Sequence, residues 1–231
     1  MKKISIIILM LAASLTLSAQ RLGIMGGFQM TNTWALAGKC DFNPKPGPGF
    51  TIGPIFEMNI NHRLGFDVAA LYNMRHSSYD IDYEFHSDTT VHLSRTHYYL
   101  DLPIHLNVNF PIKNTLSMSL FFGPSFNVAL HGQDIAWENT DQKRPVGFDN
   151  ENLYGKDKGT VNRFKRFQVS GELGLALKYK AFEWRASYNG SINNMTNKEF
   201  LWYVGLRQGQ NKYLRDGNFK LTFAYMFDLR K

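Results

Sequence analysis

The residues best suited to chemistry gather in one stretch. His76-Ser77-Ser78 is followed by Asp80 and Asp82, and His97 can face them across a hairpin. A hydroxyl is a weak nucleophile until an imidazole takes its proton, and a carboxylate holds that imidazole in the right tautomer. The set would suit acyl transfer. The same stretch holds four of the seven histidines, His76, His86, His92 and His97, with Asp80, Asp82, Glu84 and Asp88 among them. Imidazole and carboxylate together suit a divalent metal, but the spacings match no ligand motif. The alternation Tyr79-Asp80-Ile81-Asp82-Tyr83-Glu84-Phe85 reads instead as a strand with its acids on a solvated face. The expectation is no enzyme, no catalytic residue, no metal and no cofactor. Cys40 is the single cysteine, which excludes an intramolecular disulfide framework and a cysteine cluster.

A second group of titratable residues lies inside regular elements. Past residue 19 the pattern has period 2. In 99–110 the residues Leu100, Leu102, Ile104, Leu106, Val108 and Phe110 alternate with Asp101, Pro103, His105, Asn107 and Asn109. That is about the length of a tilted membrane-spanning strand. The same alternation recurs in 50–60, 64–75, 116–131, 167–179, 182–191 and 219–227, and more weakly in 21–31, giving eight strands. Short connections at 61–63, 111–115 and 180–181 alternate with long ones at about 32–49, 76–97, 132–166 and 192–218. Within the first long connection, 43–49 is rich in Pro and Gly and reads as irregular. An even number of strands, with tight turns at one end and long loops at the other, is the pattern of an all-β, eight-stranded, antiparallel up-and-down transmembrane β-barrel. A closed barrel is the one sheet that spans lipid without an unpaired edge.

A soluble eight-stranded barrel or sandwich also alternates. Two features argue for lipid. The polar face carries charges at strand centres, at Glu57, Asp67, Arg75, Asp101, Glu172, Lys178, Arg185 and Lys220. The apolar face carries aromatics near strand ends, at Phe110, Phe182, Trp184, Tyr188, Tyr225 and Phe227, as interfacial girdles do. Eight strands enclose a space that side chains fill, and buried charges need partners. The eight inward charges are therefore expected to form a cross-barrel ion-pair network that plugs the lumen.

Residues 1–19 read as a cleaved export signal, with Lys2 and Lys3 ahead of an apolar run and a small-residue exit, which leaves 20–231 as the barrel domain. The formal charge of +7 is not gathered into one basic stripe, and export makes nucleic acid an unsuitable partner. Bases and aromatics in the long connections, among them Lys143, Arg144, Arg163, Arg166, Trp202 and Tyr213, suit lipopolysaccharide phosphates or a protein surface. A lipid-modifying outer-membrane enzyme built around His76, and a small-solute or lipopolysaccharide-binding barrel, are the alternatives.

The stretch Tyr98-Tyr99-Leu100-Asp101-Leu102-Pro103 resembles a strand of the PorT-like outer-membrane β-barrel family of Gram-negative bacteria, in which an aromatic pair leads into an acid, an apolar residue and a proline. Phe122-Gly123-Pro124-Ser125-Phe126, Ser170-Gly171-Glu172-Leu173-Gly174-Leu175 and Leu22-Gly23-Ile24-Met25-Gly26-Gly27 resemble further strands of that family. The resemblance implies an integral outer-membrane barrel of porin-family type. From the family's namesake it implies a role in type IX-like secretion of proteins to the cell surface, with secretion machinery or a surface protein as partner.

Overall fold

A computed structural model describes residues 20–36, 40–83, 90–138, 165–195 and 213–229. Nine strand segments run β1 (Gln20–Leu36), β2 (Cys40–Asn59), β3 (Leu64–Ala69), β4 (Leu71–Tyr83), β5 (Thr90–Lys113), β6 (Leu116–Glu138), β7 (Phe167–Tyr179), β8 (Phe182–Ser191) and β9 (Tyr213–Asp228). All pairings are antiparallel, and β1 pairs with both β2 and β9, so the sheet closes on itself. The segments β3 and β4 both lie between β2 and β5 and form one crossing interrupted at Ala70. The molecule is therefore an eight-crossing antiparallel barrel.

The interruption has a chemical cause. Ala70 sits between Pro54 on β2, whose carbonyl accepts from the Ala70 N–H at 3.0 Å, and the Leu102-Pro103 stretch of β5. Neither proline has an N–H to return, so the ladder lapses for one residue. Each of β2 and β6 carries a Gly-Pro pair, Gly53-Pro54 and Gly123-Pro124. A Cβ at Gly53 would run into the Ala70 carbonyl, and one at Gly123 into the Ile104 carbonyl. Replacing Gly123 with Val is expected to cost about 3 kcal/mol or more, because backbone rather than a movable side chain must yield. A urea titration of the variant in lipid vesicles reads this, and a midpoint equal to that of the parent barrel would refute it.

Burial is inside out. Phe28, Ile24, Leu173, Leu221 and Phe227 point outward and stay open, while Asn73, Asp101, Ser119, Asn127 and Asn218 point inward and are buried. On an all-water surface such an apolar belt would be untenable, and in lipid it is what holds the barrel in place. Of the aromatics read as girdles, those near the 180–181 turn cluster on the outer wall, while Tyr188 lies toward the other end, 6.2 Å from Trp34. Phe182 meets Phe223 at 5.6 Å and Tyr225 at 5.3 Å, and Tyr225 meets Phe227 at 4.8 Å. The lumen is not uniformly polar, since Met25, Ile55, Ala69, Leu71, Ala224 and Met226 form one buried apolar patch on its wall.

The strands run further than the alternation alone suggested. β5 has 24 residues and β6 has 23, roughly twice the length needed to cross a bilayer. Much of the expected connections 32–49 and 76–97 is strand. The stretch 43–49, expected to be irregular, pairs with both neighbours: Thr31 faces Gly47 and Gln29 faces Gly49, while Asn43 to Pro46 face Asp80 to Ser77. A register irregularity between Pro46 and Phe50 absorbs the prolines, whose lack of N–H would otherwise break a regular ladder. The side-chain-free inner positions Gly47 and Gly49 let the backbones of His76 and Met74 come close. The expected export signal at 1–19, residues Glu84, His86 and Asp88, and the loop bases Lys143, Arg144 and Arg163 lie outside the described residues.

Candidate functional site

All eight charges singled out from the sequence point into the lumen and are buried. The strand register turns them into two groups. Toward the turn end, Lys178 Nζ on β7 donates to Glu57 Oε1 on β2, and Arg21 on β1 approaches the other Glu57 oxygen at 3.5 Å. In the middle of the barrel, Arg185 on β8 donates to Asp67 on β3 at 2.8 Å. The Arg185 guanidinium also lies 3.9 Å from the ring centre of Phe121. Lys220 on β9 lies between Glu172 at 3.2 Å and Asp101 at 3.7 Å, and Arg75 on β4 donates to Asp101 at 2.7 Å.

Besides Arg21, three members of the network were not among the expected eight. His105 Nδ1 lies 2.8 Å from Asp67, and its Nε2 lies 3.8 Å from Glu172, so one imidazole joins the two halves of the central group. Glu183 reaches Arg185 at 3.6 Å. Asp216, expected in a loop, is on β9 and accepts from Thr33 Oγ1 at 2.8 Å. Neutral donors complete the carboxylates. Asn107 donates to Asp67, and Ser187 and Asn189 donate to Glu172. Chains of this kind strengthen one another in a low dielectric and fix the register of the strands that carry them. The open space among Asp67, His105, Glu172, Arg185 and Lys220 is only about 10 Å³, enough for a single water at most. At this level the lumen is closed.

The stretch 98–103 is divided by the pleat. Tyr98 faces outward, stacked on His131 at 4.2 Å and on Tyr72 at 5.8 Å. Tyr99, Asp101 and Pro103 face inward and are buried. Tyr99 lies beneath the Arg75 guanidinium at 4.3 Å and accepts a hydrogen bond from Gln168.

The pleat also separates the residues considered for acyl transfer. His76 is on the outer face, its Nδ1 2.9 Å from Thr96 Oγ1. His97 is inside, with Arg95 at 3.1 Å, and Ser77 is inside against Thr33 at 2.9 Å. Their ladder positions, His76 opposite Thr96 and Arg75 opposite His97, put the two imidazoles on opposite sides of the wall, so His97 and Ser77 are divided from His76, Ser78 and Asp80. Of the acids considered with them, Asp80 is tied to Lys45 at 2.7 Å and to His92 at 2.6 Å on the outer face. No group of three His, Cys, Asp or Glu with metal-binding geometry occurs among the described residues.

Asp80 lies on the extension of the strands beyond the apolar belt. Partial burial pushes its carboxyl up, but the hydrogen bonds from Lys45 and His92 outweigh that and hold it below the ordinary aspartate value. A lowered carboxylate stabilises the fold above its unfolded-state value, and the contribution fades as pH falls through the folded one. The tie between β2, β4 and β5 is therefore expected to be complete at neutral pH and to loosen in acid. Hydrogen exchange of the amides of Asn43, Lys45 and 77–80, corrected for intrinsic rates, should show lower protection at pH 3 than at pH 6 in the parent and a smaller change in Asp80→Asn. Equal changes would contradict it.

The fold and the inside-out wall define an integral outer-membrane β-barrel protein. The chain belongs to the outer membrane protein beta-barrel domain family, which matches residues 17–197. It is similar in structure to Ail, the attachment invasion locus protein of Yersinia pestis, at 15% identity over 91% of this chain and 100% of that one, with a TM-score of 0.39. OprG from Pseudomonas aeruginosa shows 10% identity over 91% and 97%, with a TM-score of 0.39. Neisserial surface protein A shows 14% identity over 89% and 97%, with a TM-score of 0.34. A comparison with curated proteins gives no match.

Proposed function

We propose that this outer-membrane barrel works without catalysis, as a rigid support that holds its outer strand extension and long connections toward a partner at the cell surface. The observation that carries this reading is the closed middle of the lumen: a barrel with about 10 Å³ of open space among its central charges is built for presentation, not passage. The separation of His76 from His97 across the wall also favours a binding role over acyl-lipid turnover. The partner is a surface protein or lipopolysaccharide. The family resemblance carried by Tyr98, Tyr99, Asp101 and Pro103 favours assistance to a type IX-like secretion pathway, with the protein exported by a cleaved signal.

The test is a strain without the gene, compared with its parent for secreted and surface proteins. Loss of a cargo set, with precursors held in the periplasm and rescue by the parent gene, is the expected result. An unchanged surface profile would remove the secretion role. Retained binding of purified lipopolysaccharide by the detergent-solubilised barrel would then leave the lipid partner standing.

A further inference from the structure

The turn end of the barrel opens into a vestibule of about 900 Å³ that plays no part in the reading above. Its walls hold Arg21, Lys113, Lys178 and Lys180, with Glu57 as the one carboxylate among the lining residues. Two of these cations are committed. Lys178 donates to Glu57, and Arg21 is shared between Glu57 at 3.5 Å and Asp228 at 3.4 Å. Lys113 and Lys180 form no ion pair among the described residues, and they stand on neighbouring turns of the rim. The remaining lining is rich in neutral hydrogen-bonding groups, Asn59, Asn109 and Ser117 among them.

The conformation of Lys180 points the same way. It is the one described non-glycine residue with a positive φ, 54°, in a turn where Gly or Asn would sit without strain. Arg21 donates to its backbone carbonyl at 2.9 Å and so ties this strained turn to the vestibule floor. Keeping a lysine there puts a cation on the rim at a conformational cost. Short turns of outer-membrane barrels face the periplasm, so the vestibule opens to that side.

We propose that the vestibule is a binding site for a multiply charged oxyanion of the phosphate class, gripped by Lys113 and Lys180 at the rim. A concave pocket with surplus positive charge concentrates such an anion, and charge-assisted hydrogen bonds hold it. Its source is either a free phosphate ester in the periplasm or the head group of an inner-leaflet lipid.

Tripolyphosphate is the probe, titrated calorimetrically at low salt and pH 7 into the full barrel in phosphatidylcholine nanodiscs. Saturable binding is expected, weakened about tenfold for each lysine removed in Lys113→Gln and Lys180→Gln. Lys180→Asn, which suits the turn, should lose the same affinity without loss of stability and so separates charge from folding. No heat, or affinity unchanged in both Lys180 variants, would overturn the site. Repeating the titration in phosphatidylglycerol nanodiscs identifies the source. A retained signal points to a soluble anion, and a signal lost to the lipid points to its head group; both keep the oxyanion site.

Discussion

Replacing Arg185 with Met is expected to cost the barrel about 3–5 kcal/mol, among the largest effects available from one residue. The guanidinium serves Asp67 at 2.8 Å and Glu183 at 3.6 Å, and lies against Phe121. Methionine fills much of its volume but leaves both carboxylates buried without their cation. The cost arises less from the lost attraction than from the charge left behind, so a second change should return part of it. In the double variant Arg185→Met with Asp67→Leu, the stranded carboxylate nearest the gap is gone, and stability should recover by an amount that a double-mutant cycle measures. Urea unfolding in lipid vesicles reads all four corners. Additive losses in the double variant would mean that the pair is not coupled, contrary to the geometry.

Electrical silence is the second large effect. With Arg185, Phe121, Lys220 and Glu172 crowding the mid-lumen and a cavity of about 10 Å³ between them, a hydrated ion would have to shed its water there, at a penalty of several kcal/mol. Planar bilayers containing the parent barrel should show no steady current steps. Truncating two plugging side chains that pack against each other, Phe121→Ala with Arg185→Ala, should produce them if the barrel still folds, as judged by its heat-dependent shift on denaturing gels. Steady steps from the parent barrel would show that the lumen is open.

Much of this was legible in the sequence because a strand's period of 2 states, residue by residue, which side of the wall a side chain takes. Phase alone put Asp67, Asp101, Glu172 and Arg185 inside and Leu102, Leu173 and Phe223 outside. Phase separates the two imidazoles as well: His76 shares the phase of outward Tyr72 and Met74, and His97 that of inward Tyr99 and Asp101. Phase does not say who meets whom. That Lys220 lies between Glu172 and Asp101 depends on the stagger of strands around the ring, which one strand's pattern does not contain. His105 and Glu183 share the polar face, but a histidine's residue type does not announce an ion partner, and Glu183 borders a turn rather than a strand centre. Asp216 and the 43–49 stretch were hidden by Gly217 and by the prolines of 43–49, which locally signal a turn. Tertiary pairing with β1 and β4 overrode that signal.

The uncharged patch inside the wall implies an order of events during assembly. Met25, Ile55, Ala69, Leu71, Ala224 and Met226 span β1, β2, the broken third crossing and β9, and so straddle the seam where the chain's first and last strands join. That union closes a loop of nearly the whole chain, at an entropic cost growing about as 1.5RT ln n. Side chains at such a seam help most if they need nothing from the opposite wall. These six need only one another. The charged pairs that reach across the ring, Arg185 with Asp67 and Lys178 with Glu57, find their mates only once it is shut. The seam zips dry, and the electrostatic lock sets afterwards.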